Sequence, residues 1–79
     1  MQVKISKKAT KQIQKLRLQK QFDKQLALFL ANPFHPSLDF KPLKGSVKGL
    51  YAFRINNQYR LCFVWKNVDA YDAEVTDYH

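Results

Sequence analysis

The side chains whose spacing could do chemistry are two arginines, three lysines and two histidines in the second half of the chain. Arg54 and Arg60 stand on either side of Asn56-Asn57. Read as two strands, these segments alternate: Leu50, Ala52 and Arg54 share one face, and Tyr51, Phe53 and Ile55 the other. Arg60, Cys62 and Val64 likewise oppose Tyr59, Leu61, Phe63 and Trp65. The face of Tyr51, Phe53, Phe63 and Trp65 is the expected core face. With an odd number of residues in the connecting loop, both guanidinium groups lie on the opposite face. Like charges on a strand ladder repel each other unless an anion or carboxylate is near. A bound polyanion would relieve them, and so would cross-strand pairing with Asp72 or Glu74. Lys41, Lys44 and Lys48 precede these strands in a segment edged by Pro42, Gly45 and Gly49. Surface loops commonly carry binding residues, although solubility alone also explains lysines there. His79 follows Asp77 and Tyr78, at a position where side chains are often frayed. His35, between Phe34 and Pro36, suits a packing or capping role in a turn. Two histidines and the single Cys62 are too scattered for a strong metal signal, and one cysteine forms no intramolecular disulfide. There is no glycine-rich phosphate loop and no nucleophile elbow.

Charge narrows the class of partner. The 79 residues carry 14 Lys plus Arg against 6 Asp plus Glu, a formal net charge of +8. That excess points to a polyanion: nucleic acid, an acidic protein or an anionic surface. Eight of the basic residues are Lys4, Lys7, Lys8, Lys11, Lys15, Arg17, Lys20 and Lys24, opposed in that stretch by Asp23 alone. This run suits a solvated helix face and equally a phosphate-tracking one. Four of the six acids, Asp69, Asp72, Glu74 and Asp77, fall near the C-terminus. The longest apolar run, Leu26 to Ala31, is far short of the roughly 20 residues that span a bilayer. The opening residues lack the apolar stretch of a signal peptide, so a cytoplasmic location is expected.

The elements that must position these groups follow from periodicity. Val3 and Ile5 alternate with Gln2 and Lys4, which predicts a short opening strand. Ser6 is a helix cap. From Lys7 to Asn32 there is neither Gly nor Pro, and Ala9, Ile13 and Leu16, then Phe22, Leu26, Phe29 and Leu30, repeat at helical spacing. One helix over that span would be about 39 Å long, too long for so small a domain. Two helices with a bend near Leu16-Arg17-Leu18 are expected, the second ending at Asn32-Pro33. Phe34 to Gly49 reads as a linker. Leu50–Ile55, Tyr59–Lys66 and Ala70–Tyr78 read as a three-stranded antiparallel meander. The turns fall at Asn56-Asn57, where Asn tolerates positive φ, and at Lys66-Asn67-Val68-Asp69. The sequence predicts one α+β domain over residues 1–79, with the helices on one face of the sheet.

With the elements placed, a family likeness emerges. His35-Pro36-Ser37-Leu38, Lys41-Pro42-Leu43-Lys44-Gly45, Gly49-Leu50-Tyr51-Ala52-Phe53-Arg54-Ile55, Tyr59-Arg60-Leu61 and the closing Asp77-Tyr78-His79 occur in this order. The set resembles the RelE superfamily of type II toxin–antitoxin toxins, HigB-like and YoeB-like members above all. Ser6-Lys7-Lys8 and Ala31-Asn32-Pro33-Phe34 fit the same pattern. The resemblance spans nearly the whole chain and is densest from Pro33 onward.

The resemblance implies a microbial-ribonuclease-like fold: an N-terminal strand and helical hairpin packed on a twisted antiparallel sheet. It implies an endoribonuclease that enters the ribosomal A site and cuts mRNA there, held inactive by a cognate antitoxin protein. The implied chemistry is metal-free, with no cofactor. The RNA 2′-hydroxyl attacks the adjacent phosphate. Such a reaction needs a base, cations for the developing phosphorane and an acid for the leaving oxygen. By resemblance Arg60 stabilises the phosphorane, with Arg54 and Lys44 supporting it and Lys48 as a further substrate-binding cation. His79 serves as acid or holds the substrate. Asp77 would favour its proton-donating form, and Tyr78 would stack on a base or touch phosphate. Lys41 stands where YoeB-like members carry a Glu base and HigB-like members a His. Two other readings share these features. One is a ParE-like toxin that inhibits DNA gyrase without cutting RNA, and the other a passive nucleic-acid-binding module.

Overall fold

The computed structural model describes residues 2–43, 49–66 and 69–77. Helix α1 spans Lys7–Lys15 and helix α2 Gln19–Ala31. They are followed by a 3-10 turn at Pro36–Leu38 and strands β1 (Lys41–Pro42), β2 (Leu50–Arg54), β3 (Tyr59–Lys66) and β4 (Asp69–Asp77). The strands form an antiparallel sheet in the order β1-β2-β3-β4. Both helices contribute to a single core against one side of it. The α+β class expected from the sequence is thus present.

Ser6 starts α1 as anticipated: its Oγ accepts from Ala9 N at 3.0 Å. The bend falls at the expected place, and its cause is visible. Arg17 adopts φ 57°, Leu18 N donates to Ile13 O at 2.9 Å, and Arg17 N donates to Gln14 O at 3.1 Å. This is the paired hydrogen-bond pattern of a left-handed helix stop, made here by an arginine where glycine is the usual choice. Helix α2 ends at Asn32, whose backbone is extended ahead of Pro33. Asn32 Oδ1 then accepts from Phe34 N at 3.1 Å.

Three expectations need adjusting. The opening segment makes one parallel bridge, Val3 to Ala70, rather than a full strand. Lys4 N donates to Ala70 O and Ala70 N to Gln2 O, both at 2.9 Å. The segment read as a linker contains the 3-10 turn and edge strand β1, so the sheet has four strands where a three-stranded meander was expected. Pro42 is tolerated in β1 because the strand lies at the sheet edge. The hairpin turn at Asn56-Asn57 is in the right place for a different reason. Arg17 and Asp39 are the non-glycine residues with positive φ among the described residues, so neither asparagine uses that conformation. Asn56 works through its side chain, Oδ1 accepting from Gln58 N and Tyr59 N, both at 2.8 Å. The second turn's middle residues, Asn67 and Val68, lie outside the described residues, and its flanks Lys66 and Asp69 pair with each other.

The core face is the one read from strand alternation. Phe53, Ile55, Leu61 and Phe63 are buried on it, with Tyr51, Tyr59 and Trp65 partly buried beside them. Phe29 of α2 is fully buried at its centre, its ring 5.0–5.5 Å from those of Phe53, Phe40, Trp65 and Phe63. Edge-to-face and tilted pairs at such separations add about 0.5–1.5 kcal/mol each beyond simple burial. A bulge in β4 opposite Phe63 sets two residues against one. Two glutamines fasten the helices to the sheet. Gln12 donates to Val75 O at 3.1 Å and accepts from Val75 N at 2.9 Å. Gln25, a buried polar residue in the apolar stripe of α2, donates to Arg54 O at 2.8 Å and Ser37 O at 3.2 Å.

Candidate functional site

The site is built on the β2–β3 hairpin. The strand register sets Arg54 directly opposite Arg60, with Ala52 opposite Cys62 and Leu50 opposite Val64. Ile55 N donates to Tyr59 O, so the adjoining Arg54–Arg60 pair falls at a non-hydrogen-bonded position of the ladder. Directly opposed Cβ atoms lie about 4.5–5.5 Å apart in such a ladder, and like charges placed there destabilise the pairing. Both arginines belong to the face turned away from the aromatic core, as alternation requires. Between them and the strand ends lie the small side chains of Ala52 and Cys62, which are 2% and 8% exposed. Lys41 joins the same set. It is in register with Ala52 across the β1–β2 ladder, next in line to Arg54 on that face.

A carboxylate that strand alternation does not single out organises two of these cations. Asp39 follows the 3-10 turn in a left-handed conformation, φ 47° and ψ 42°. Asp is among the residues that tolerate this region. Its Oδ2 lies 3.3 Å from Lys41 Nζ and 3.7 Å from an Arg54 guanidinium nitrogen. All three side chains are between 36% and 50% exposed, so each pair contributes only about 0–1 kcal/mol. Of the two cross-strand partners considered for the arginines, Glu74 is engaged elsewhere. Glu74 pairs with Lys8 of α1 at 2.7 Å, and Asp39 is an acid beside Arg54. The side chain of Asp72 lies outside the described residues. Arg60 Nε donates to Thr76 Oγ1 at 3.4 Å, and that hydroxyl also lies 3.1 Å from Cys62 Sγ.

The turn that presents Asp39 is fixed from both sides. His35 caps it, its Nδ1 accepting from Ser37 N at 3.2 Å, the capping role anticipated for it. Gln25 ties Ser37 and Arg54 to the same amide. Gln25 was legible as an anomaly: it follows Phe22 by one helical turn and interrupts an apolar stripe. Asp39 offered no comparable signal, since its partners come from the edge strand and from β2.

The structure therefore brings together Lys41, Arg54 and Arg60. Asp77 is in register with Tyr59, whose side chain belongs to the opposite face from Arg60. Lys44, Lys48, Tyr78 and His79 lie outside the described residues. Among the described residues no group of three His, Cys, Asp or Glu could hold a metal ion. No described helix is long and apolar enough to cross a membrane. The assembled groups suit an anion whose charge is shared over two acceptor oxygens, as in a phosphodiester. No protein-family model matches this chain, and no curated protein matches it.

Proposed function

We propose that this chain is a RelE-superfamily toxin of a type II toxin–antitoxin system, a ribosome-dependent endoribonuclease that cuts mRNA in the A site. The observation that carries the proposal is the alignment of Arg54 against Arg60 with Lys41 on the same sheet face. Guanidinium groups held side by side are placed to stabilise the two negative charges of a phosphorane transition state. The net charge of +8 supports docking on RNA.

In this reading the 2′-hydroxyl attacks the adjacent phosphorus and expels the 5′ oxygen. Arg60 and Arg54 stabilise the pentacoordinate phosphorane. Lys41, when neutral, takes the 2′ proton. His79 returns a proton to the leaving oxygen, with Tyr78 stacking on a base, and Lys44 and Lys48 tracking phosphates; Asp77, in register with Tyr59 on the other face, is left out of this set. The partners are mRNA, the ribosomal A site and a cognate antitoxin protein, all in the cytoplasm.

Mapping mRNA 5′ ends after brief induction tests this, with and without translation. Cuts within codons of translated messages are expected, absent when initiation is blocked. Growth arrest with a DNA-damage response and intact messages would instead identify a gyrase poison of the ParE kind.

A further inference from the structure

The Asp39 carboxylate sits where an anion would sit. It bridges Lys41 and Arg54, two cations on the face proposed to receive phosphate. It is carried on a turn held by His35 and by the buried amide of Gln25, so its place depends on the fold rather than on a flexible arm. The ion pairs it makes are solvent-exposed and weak, so a phosphate can replace them.

We infer that Asp39 is an internal competitor for the RNA phosphate: it holds Lys41 and Arg54 together in the free protein and is displaced from them when a phosphodiester binds. This rests on the RNA-binding reading and adds an element to it, a positioning residue that also sets affinity. A carboxylate here prevents the cation pair from capturing phosphate indiscriminately. A substrate held at other points as well offsets the displacement most readily. The shape of the turn restricts what can substitute for it. Asn and Gly both accept a left-handed backbone, and both remove the charge.

The experiment measures binding of a short single-stranded 2′-O-methyl RNA, which cannot undergo 2′ attack, across a range of salt concentrations. Asp39→Asn is expected to bind about 3- to 10-fold tighter at low salt. Its log–log salt slope should steepen by about 0.7 for each additional phosphate neutralised. Asp39→Gly should behave alike, and decides the matter if Asp39→Asn does not fold. In a Lys41→Met background the increase in affinity should shrink. Wild-type protein that binds while both folded Asp39 variants bind equally or more weakly overturns the inference alone. Wild-type protein that shows no salt-dependent binding overturns the RNA reading itself.

Discussion

The two faces of the β2–β3 hairpin are made from the same strands by opposite rules. On the helix side, neutral aromatic and aliphatic side chains interlock around Phe29. On the other side, Arg54 is set against Arg60, with small residues beside them and Lys41 at the margin. The first face maximises the stability of the free chain. The second sets two like charges directly opposite each other, with the Asp39 carboxylate beside Arg54 and the Thr76 hydroxyl beside Arg60. One face accounts for the fold, and the other carries the cations on which the proposed function rests.

The strongest way to break this contrast is to damage the core. Phe29→Ala should cost about 3–5 kcal/mol, a large share of the roughly 4–12 kcal/mol expected for a domain of this length. Urea unfolding should show it as a loss of about a quarter of the midpoint or more, with every activity falling in parallel. The opposite face should respond the other way. Arg60→Ala should lower cleavage by about 100-fold or more while stability stays within about 1 kcal/mol of wild type or rises. A variant that keeps full toxicity would show that the paired arginines do not serve the reaction.

Gln25 links the two faces and should show an intermediate phenotype. Gln25→Leu leaves the Arg54 and Ser37 carbonyls without their shared donor, at a cost of about 1–3 kcal/mol. Hydrogen exchange should rise in the 3-10 turn and β2 more than in α1. Arg17→Gly, remote from both faces, is the smallest change and a control. It removes the left-handed penalty at the helix stop and should raise stability by up to about 1 kcal/mol with cleavage unchanged.

Much of this arrangement was legible because it is periodic. Strand alternation separated Phe53 and Phe63 from Arg54 and Cys62, and helical spacing with the length limit placed a bend near Leu16-Arg17-Leu18, where the structure has its helix stop. What escaped was aperiodic. A two-residue strand such as Lys41–Pro42 has no period to read, and it took shape only through pairing with β2. Asp39 escaped because its role depends on where the turn after α2 comes to rest, a tertiary fact. Asn56 was placed correctly from composition, but composition does not distinguish a backbone preference from a side-chain hydrogen bond.

The Gln12 amide has one more consequence. By giving and receiving a hydrogen bond at Val75, it imitates one rung of a neighbouring strand. The opening residues do the same at Ala70, and the Ser6 hydroxyl occupies the Ala73 carbonyl. The outer margin of β4 is thus covered at these three residues by its own chain, while the opposite margin is two residues long and interrupted by proline. At these residues the sheet margin has few free backbone groups left for a second copy to pair with.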